Sequence, residues 1–149
     1  MRRSLSLGLI SGLAAAVIPL AAGPASAAEY SNSCNVIQMV HFVPTVTGMA
    51  HVEGNWENQT TMDPVVLLAR DTQADGHHVG ARLVTWQADG DVHYWPWHHY
   101  YGGEGGQDYW QSKATDSQGI KYAAVEGGVF EGDSLLSECF SSKMKNTAW

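Results

Sequence analysis

Along this chain apolar and polar residues alternate in short runs, and no stretch sustains the three-to-four-residue spacing of an amphipathic helix. The runs are rich in Val, Thr, Tyr and Trp, and each is closed by Gly, Pro, Asn or Asp, the punctuation of strands and turns. The pattern predicts strands near Val36–Phe42, Thr45–Val52, Val65–Asp71, Val79–Gln87, Val92–Trp97, Tyr109–Ala114, Ile120–Val125 and Leu135–Phe140. Pro44 breaks the first pair, Gly54–Asp63 reads as a polar loop, and the Gly-rich run Gly102–Gly106 loses the most freedom on ordering. Evenly spaced short strands predict an all-β fold: an antiparallel β-sandwich, with a small β-barrel as the alternative.

One tetrapeptide, Gln-Ala-Asp-Gly, occurs at Gln73–Gly76 and again at Gln87–Gly90. It reads as a three-residue hairpin turn with a bulge, used twice, with Gly in the left-handed position. Two such turns predict a meander from Val65 to Trp97, with Gln73 paired to His77 and Gln87 to Asp91. One face then collects Val65, Leu67, Ala69, Val79, Ala81, Leu83, Thr85, His93, Trp95 and Trp97. The other collects Val66, Leu68, Arg70, Arg82, Val84, Trp86, Val92 and Tyr94. A register shifted by one residue places Arg82 beside Ala69 on the apolar side, where an unpaired charge is costly. The first face is therefore the expected core, with Trp95 and Trp97 filling the room left by Ala69 and Ala81.

The N-terminus departs from this pattern. Arg2 and Arg3 precede a largely apolar stretch that ends in Ala25-Ser26-Ala27, the layout of a secretory signal peptide cut after Ala27. The expectation is a secreted, extracellular protein with one β-sandwich domain over residues 28–149 and no membrane insertion. After residue 27 the chain carries six Lys and Arg against fifteen Asp and Glu, an acidic balance that repels phosphate backbones, so nucleic acid is not an expected partner. The only two cysteines, Cys34 and Cys139, read as one disulfide in an exported chain. A monomer is expected.

Candidate chemistry concentrates in His93–Tyr101, HYWPWHHYY, within a chain of six Trp and six Tyr. Trp86, Tyr94, Arg70 and Arg82 share the second face, and His98, His99, Tyr100 and Tyr101 run on from it. Trp, Tyr and Arg are the residues binding hot spots favour, and aromatic planes stack on sugar rings. These eight residues form the expected ligand-binding set for an extracellular protein or carbohydrate, unless a second sheet covers that face as core. The DTQADG stretch from Asp71 has the opening of a calcium loop, but its twelfth position is Arg82 in place of the required acid. The His pairs lack metal-ligand spacings, and no Gly-x-Ser-x-Gly elbow occurs. No catalytic residue, metal or cofactor is expected. The alternatives to a non-catalytic binding module are an inhibitor or toxin-like effector acting through the Gly102–Gly106 loop, and a small metal-assisted hydrolase using the histidines.

The stretch VVLLARDTQADGHHVGARLVTW, together with the export signal and the terminal Cys pair, resembles small secreted actinobacterial (Streptomyces-like) proteins of uncharacterised function. That resemblance implies extracellular localisation and a β fold, and brings no catalytic residues with it.

Overall fold

The computed structural model describes residues 28–149; the expected signal peptide lies outside the described residues. Val, Thr and aromatic runs with period-two alternation become strands, in chain order β1 (Ala28–Val40), β2 (Val43–Trp56), β3 (Thr61–Asp71), β4 (His78–Trp86), β5 (Val92–Tyr94), β6 (His98–Tyr100), β7 (Gln107–Thr115), β8 (Tyr122–Glu131), β9 (Ser134–Phe140) and β10 (Met144–Lys145). The first sheet has the order β1-β2-β3-β7. The second is built on β4 and β8, with β5 and β6 sharing the outer edge of β4, and β9 and β10 sharing that of β8. Every pairing is antiparallel, and the two sheets stack as the expected sandwich.

Alternation along each strand supplies the core. Val36, Ala50, Val52, Met62, Val65, Leu67 and Ala69 of the first sheet meet Val79, Ala81, Leu83, Ala123, Val125 and Val129 of the second, all buried. Small residues set the closest approach of the sheets. A Cβ on Gly127 would overlap the Ala50 methyl and crowd the Cys139 sulfur. Gly127 and Gly128 therefore lie inside β8, and the turn is at Gly132, in the left-handed region.

Both open edges of the sandwich are tied. Cys34 of β1 and Cys139 of β9 form the disulfide, 105 residues apart in sequence. A closed loop of that length stabilises the fold by about 4–5 kcal/mol in the chain-entropy model. At the opposite edge His98 of β6 stacks on Trp110 of β7, ring centroids 5.3 Å apart.

The expected β3–β4 hairpin does not form, because the two strands belong to different sheets. The backbone of Asp71 pairs instead with the Gly-rich loop: its N–H donates to the Gly106 carbonyl and its carbonyl accepts from Gly105 N–H. Asp75 caps His77 N–H through its side chain, so the first Gln-Ala-Asp-Gly is a loop crossing between sheets and Gln73 does not pair with His77. The second copy does form the turn: Gln87 N–H donates to the Asp91 carbonyl at 2.8 Å and Gly90 is left-handed. Trp86 then pairs with Val92, and Val84 with Tyr94. The core assignments of Val65, Leu67, Ala69, Val79, Ala81 and Leu83 survive the lost hairpin, since strands of two facing sheets also point those residues inward.

Two further boundaries move. The β1–β2 hairpin turns at His41-Phe42, and Pro44 sits within β2 opposite Met39. The stretch 54–63 is not one loop, since β2 runs to Trp56 and β3 begins at Thr61. Among the described residues no helix is long and apolar enough to cross a membrane.

Candidate functional site

The two central strands of the second sheet are in register, with His78 opposite Phe130, Gly80 opposite Gly128, Arg82 opposite Glu126, Val84 opposite Ala124 and Trp86 opposite Tyr122. All of these side-chain positions alternate with the buried core positions and so point away from the first sheet. The first sheet packs on the other side of β4 and β8, and the floor of this face is itself covered, since Val84, Ala124, Glu126 and Phe130 are buried beneath the side chains around them.

At its centre the Arg82 guanidinium donates two hydrogen bonds to the Glu126 carboxylate, from Nε at 2.7 Å and from Nη2 at 3.1 Å. Its Cζ lies 4.5 Å from the ring centroids of both Tyr94 and Trp97. Glu126 is fully buried. Burial pushes its carboxyl above the ordinary range; Arg82 pulls it back and nearby Glu138 pushes it further up. The bidentate pair fixes the guanidinium, and the guanidinium fixes two aromatic rings.

Trp97 leads to a second group at the end of the face nearest the β8–β9 turn. Its ring meets Phe130 edge-on at 5.0 Å, and Phe130 contacts His99 edge-on at 4.7 Å and stacks on His78 at 5.4 Å. The glycines of β4 and β8 make this possible, since a Cβ on Gly80 would crowd Phe130 and His99, and one on Gly128 would overlap the Phe130 ring. His78 Nε2 and His99 Nδ1 lie 3.1 Å apart, a hydrogen bond in which one imidazole donates and the other accepts. Burial lowers both imidazoles below their ordinary range, and Asp133 opposes this in each. The Tyr101 ring lies tilted against His78, centroids 4.3 Å apart, and is otherwise exposed. At the far end Lys143 Nζ lies 4.0 Å from the centre of the Trp86 ring, beside exposed Val92.

Five of the eight expected ligand residues lie on this face: Arg82 and Tyr94 in contact, His99 and Tyr101 at one end, Trp86 at the other. The remaining three do not. Arg70 is exposed on the opposite sheet, between Met49 and Gln107, because β3 does not pair with β4. His98 lies opposite Ala81 and turns toward the core edge, where it stacks on Trp110. Tyr100 packs against the core, and its hydroxyl lies where a Cβ on Gly102 or Gly106 would fall. The Gly-rich run is thus a loop folded around a partly buried tyrosine and tied at its end to Asp71.

Trp97 was expected in the core and is found on the outer face. Trp95 does face inward, its indole donating to Thr85 Oγ1 at 3.1 Å, but the next inward residue is His98, three positions on. Pro96 cannot donate to the sheet, and the extra residue at this break reverses the alternation for Trp97 and His99. His78, Phe130 and Glu126 escaped the sequence reading because their cross-strand partners are remote in the chain. The Pro between two tryptophans was the available signal for Trp97.

Among the described residues no three His, Cys, Asp or Glu side chains converge as metal ligands. What the arrangement offers is a strip of rings set by buried polar pairs, with half-exposed Tyr94, exposed Tyr101 and the exposed carboxylate of Glu138 open to solvent. No protein-family model matches the chain, and no curated protein or solved structure matches it.

Proposed function

We propose that this is a secreted, non-catalytic binding module whose ligand is a glycan lying along the outer face of the second sheet. One observation carries the reading: Arg82, locked by Glu126, holds the rings of Tyr94 and Trp97 in fixed positions. Rings already immobilised lose little side-chain entropy on binding. A sugar ring offers flat C–H faces for stacking on Tyr94 and hydroxyls for Glu138 and the imidazole of His99. The strip is extended and lacks a deep enclosed cleft, which suits a chain better than a small compact ligand. The basic, apolar N-terminal segment and the disulfide accord with action outside the cell.

A glycan array tests the proposal. The expected result is a defined set of glycans bound by the wild type and lost in Tyr94→Ala and Trp97→Ala, with Arg70→Ala, on the opposite sheet, unchanged. Absence of glycan binding, or equal losses in all three variants, contradicts it.

A further inference from the structure

The β1–β2 hairpin extends beyond the sandwich. β3 leaves β2 at the Asp71–Gly48 pair, and the last four pairs of the ribbon, Ile37–Val46, Gln38–Thr45, Met39–Pro44 and Val40–Val43, have no further strand beside β2. At about 3.4 Å per residue this ribbon reaches roughly 13 Å past the end of β3. It is apolar where solvent should select polar residues. Phe42 at the apex is 95% exposed and Met39 65%, and Ile37, Val43 and Val46 are also exposed. Leu136 of β9 borders the ribbon beside Ile37–Val40, and Ser137 Oγ donates to the Ile37 carbonyl at the ribbon's base.

The apex is also strained. His41 and Phe42 have φ of 50° and 65°, the left-handed region in which a two-residue hairpin turn favours Asn and Gly. A bulky aromatic residue there gains no burial and carries a steric penalty. Fold stability and solubility both favour a different residue at position 42, so Phe42 is explained by what it contacts outside the chain.

The surroundings identify the partner by charge. The four segments at this end, residues 37–46, 72–77, 102–106 and 131–136, contain no Lys or Arg; Asp75 is held against His77, and Glu104, Glu131 and Asp133 are exposed. An apolar finger within a ring of carboxylates is repelled by an anionic bilayer and by a second copy of the same acidic end, and complements an apolar pocket rimmed by Lys and Arg. From this geometry we infer that the β1–β2 hairpin is a docking finger that inserts Phe42 into an apolar, basic-rimmed pocket of a partner protein. Phe42 and the β1–β2 hairpin are not part of the aromatic strip, which ends beside Asp133, and the inference does not depend on the glycan reading.

The test uses a phage-displayed library of random cyclic peptides, selected on the intact protein, with Phe42→Asn as the control. Asn accepts the left-handed turn, so this variant is expected to melt at or above the wild-type temperature and a loss of binding cannot reflect unfolding. Selected peptides should combine apolar side chains with Lys or Arg, and should bind Phe42→Asn roughly tenfold or more weakly, as expected for loss of a central anchor. Their affinity should also fall with added salt. Peptides without basic residues, or equal affinity for both proteins, overturn the inference. So does Phe42-dependent co-sedimentation with phosphatidylcholine–phosphatidylglycerol vesicles, which makes the finger a membrane anchor. Phe42-dependent dimerisation in the ultracentrifuge overturns it in favour of a second copy.

Discussion

Arg82 on β4 and Glu126 on β8 stand directly opposite one another, and the guanidinium gives two hydrogen bonds, 2.7 and 3.1 Å long, to a fully buried carboxylate. Taking Arg82 away leaves the Glu126 carboxylate with neither water nor counter-charge, whereas the Arg82 guanidinium, partly exposed, keeps contact with water when Glu126 is removed. Arg82→Met should therefore cost about 3–5 kcal/mol of stability and Glu126→Leu less, whereas the double variant Arg82→Met/Glu126→Leu should recover most of the Arg82→Met loss. Urea denaturation of the wild type, both single variants and the double variant measures the coupling. Additive losses would show that the pair does not act as a unit.

The imidazoles of His78 and His99 predict a pH effect. Burial is the leading cause that lowers both, with like-charged histidines adding to it. The folded state thus binds fewer protons than the unfolded chain, whose histidines titrate near about 6.5. The stability contributed by the neutral pair is fully present above that value and is lost as pH falls from there toward the lowered folded value. Melting temperature should drop between about pH 7.5 and pH 5.5, and His78→Gln/His99→Gln should flatten that drop. Glu126, raised by burial, contributes in the opposite sense at lower pH: its cost to the fold eases as pH falls through its folded value toward the ordinary carboxyl range. A double variant with the full wild-type drop would show that the pair is not its source.

The Gly-rich loop predicts a rescue. A methyl at Gly106 falls on the Tyr100 hydroxyl, so Gly106→Ala should destabilise by about 1–3 kcal/mol, as overpacking does. Gly106→Ala/Tyr100→Phe, which removes the hydroxyl, should regain part of the loss. Gly103 and Gly105 have open space at their Cβ positions and left-handed φ, so alanine there acts through backbone strain alone and Tyr100→Phe should not rescue it. Thermal melts of the three glycine variants, each with and without Tyr100→Phe, separate the two causes.

These relationships differ in how far the sequence reveals them. The β4–β5 turn is readable because Gln87–Gly90 closes locally, through bonds between Gln87, Gly90 and Asp91. The identical words at Gln73–Gly76 give a different structure because Asp71 is claimed by Gly105 and Gly106, more than thirty residues on. Burial along β3 and β4 was readable from period two alone; their pairing was not, since one sheet or two facing sheets give the same pattern of inward residues. That ambiguity moved Arg70 to the opposite sheet. Pro96 then reversed the alternation and put Trp97 in place of His98 on the outer face. The two glycines that follow Glu126 look locally like a turn, yet they serve close packing against Ala50, Cys139 and Phe130, contacts that are remote or cross-strand and so not readable along the chain.

The aromatic strip is tested most directly by following the six tryptophan indole N–H resonances by NMR while titrating the strongest glycan from the array. Trp97, in contact with Arg82 and Phe130, should shift most, with Trp86 following for a chain long enough to reach it. Trp56 and Trp95, packed in the core, should stay still. Shifts confined to Trp56, Trp95 or Trp110, or a Trp97 resonance unmoved at saturation, would contradict the account.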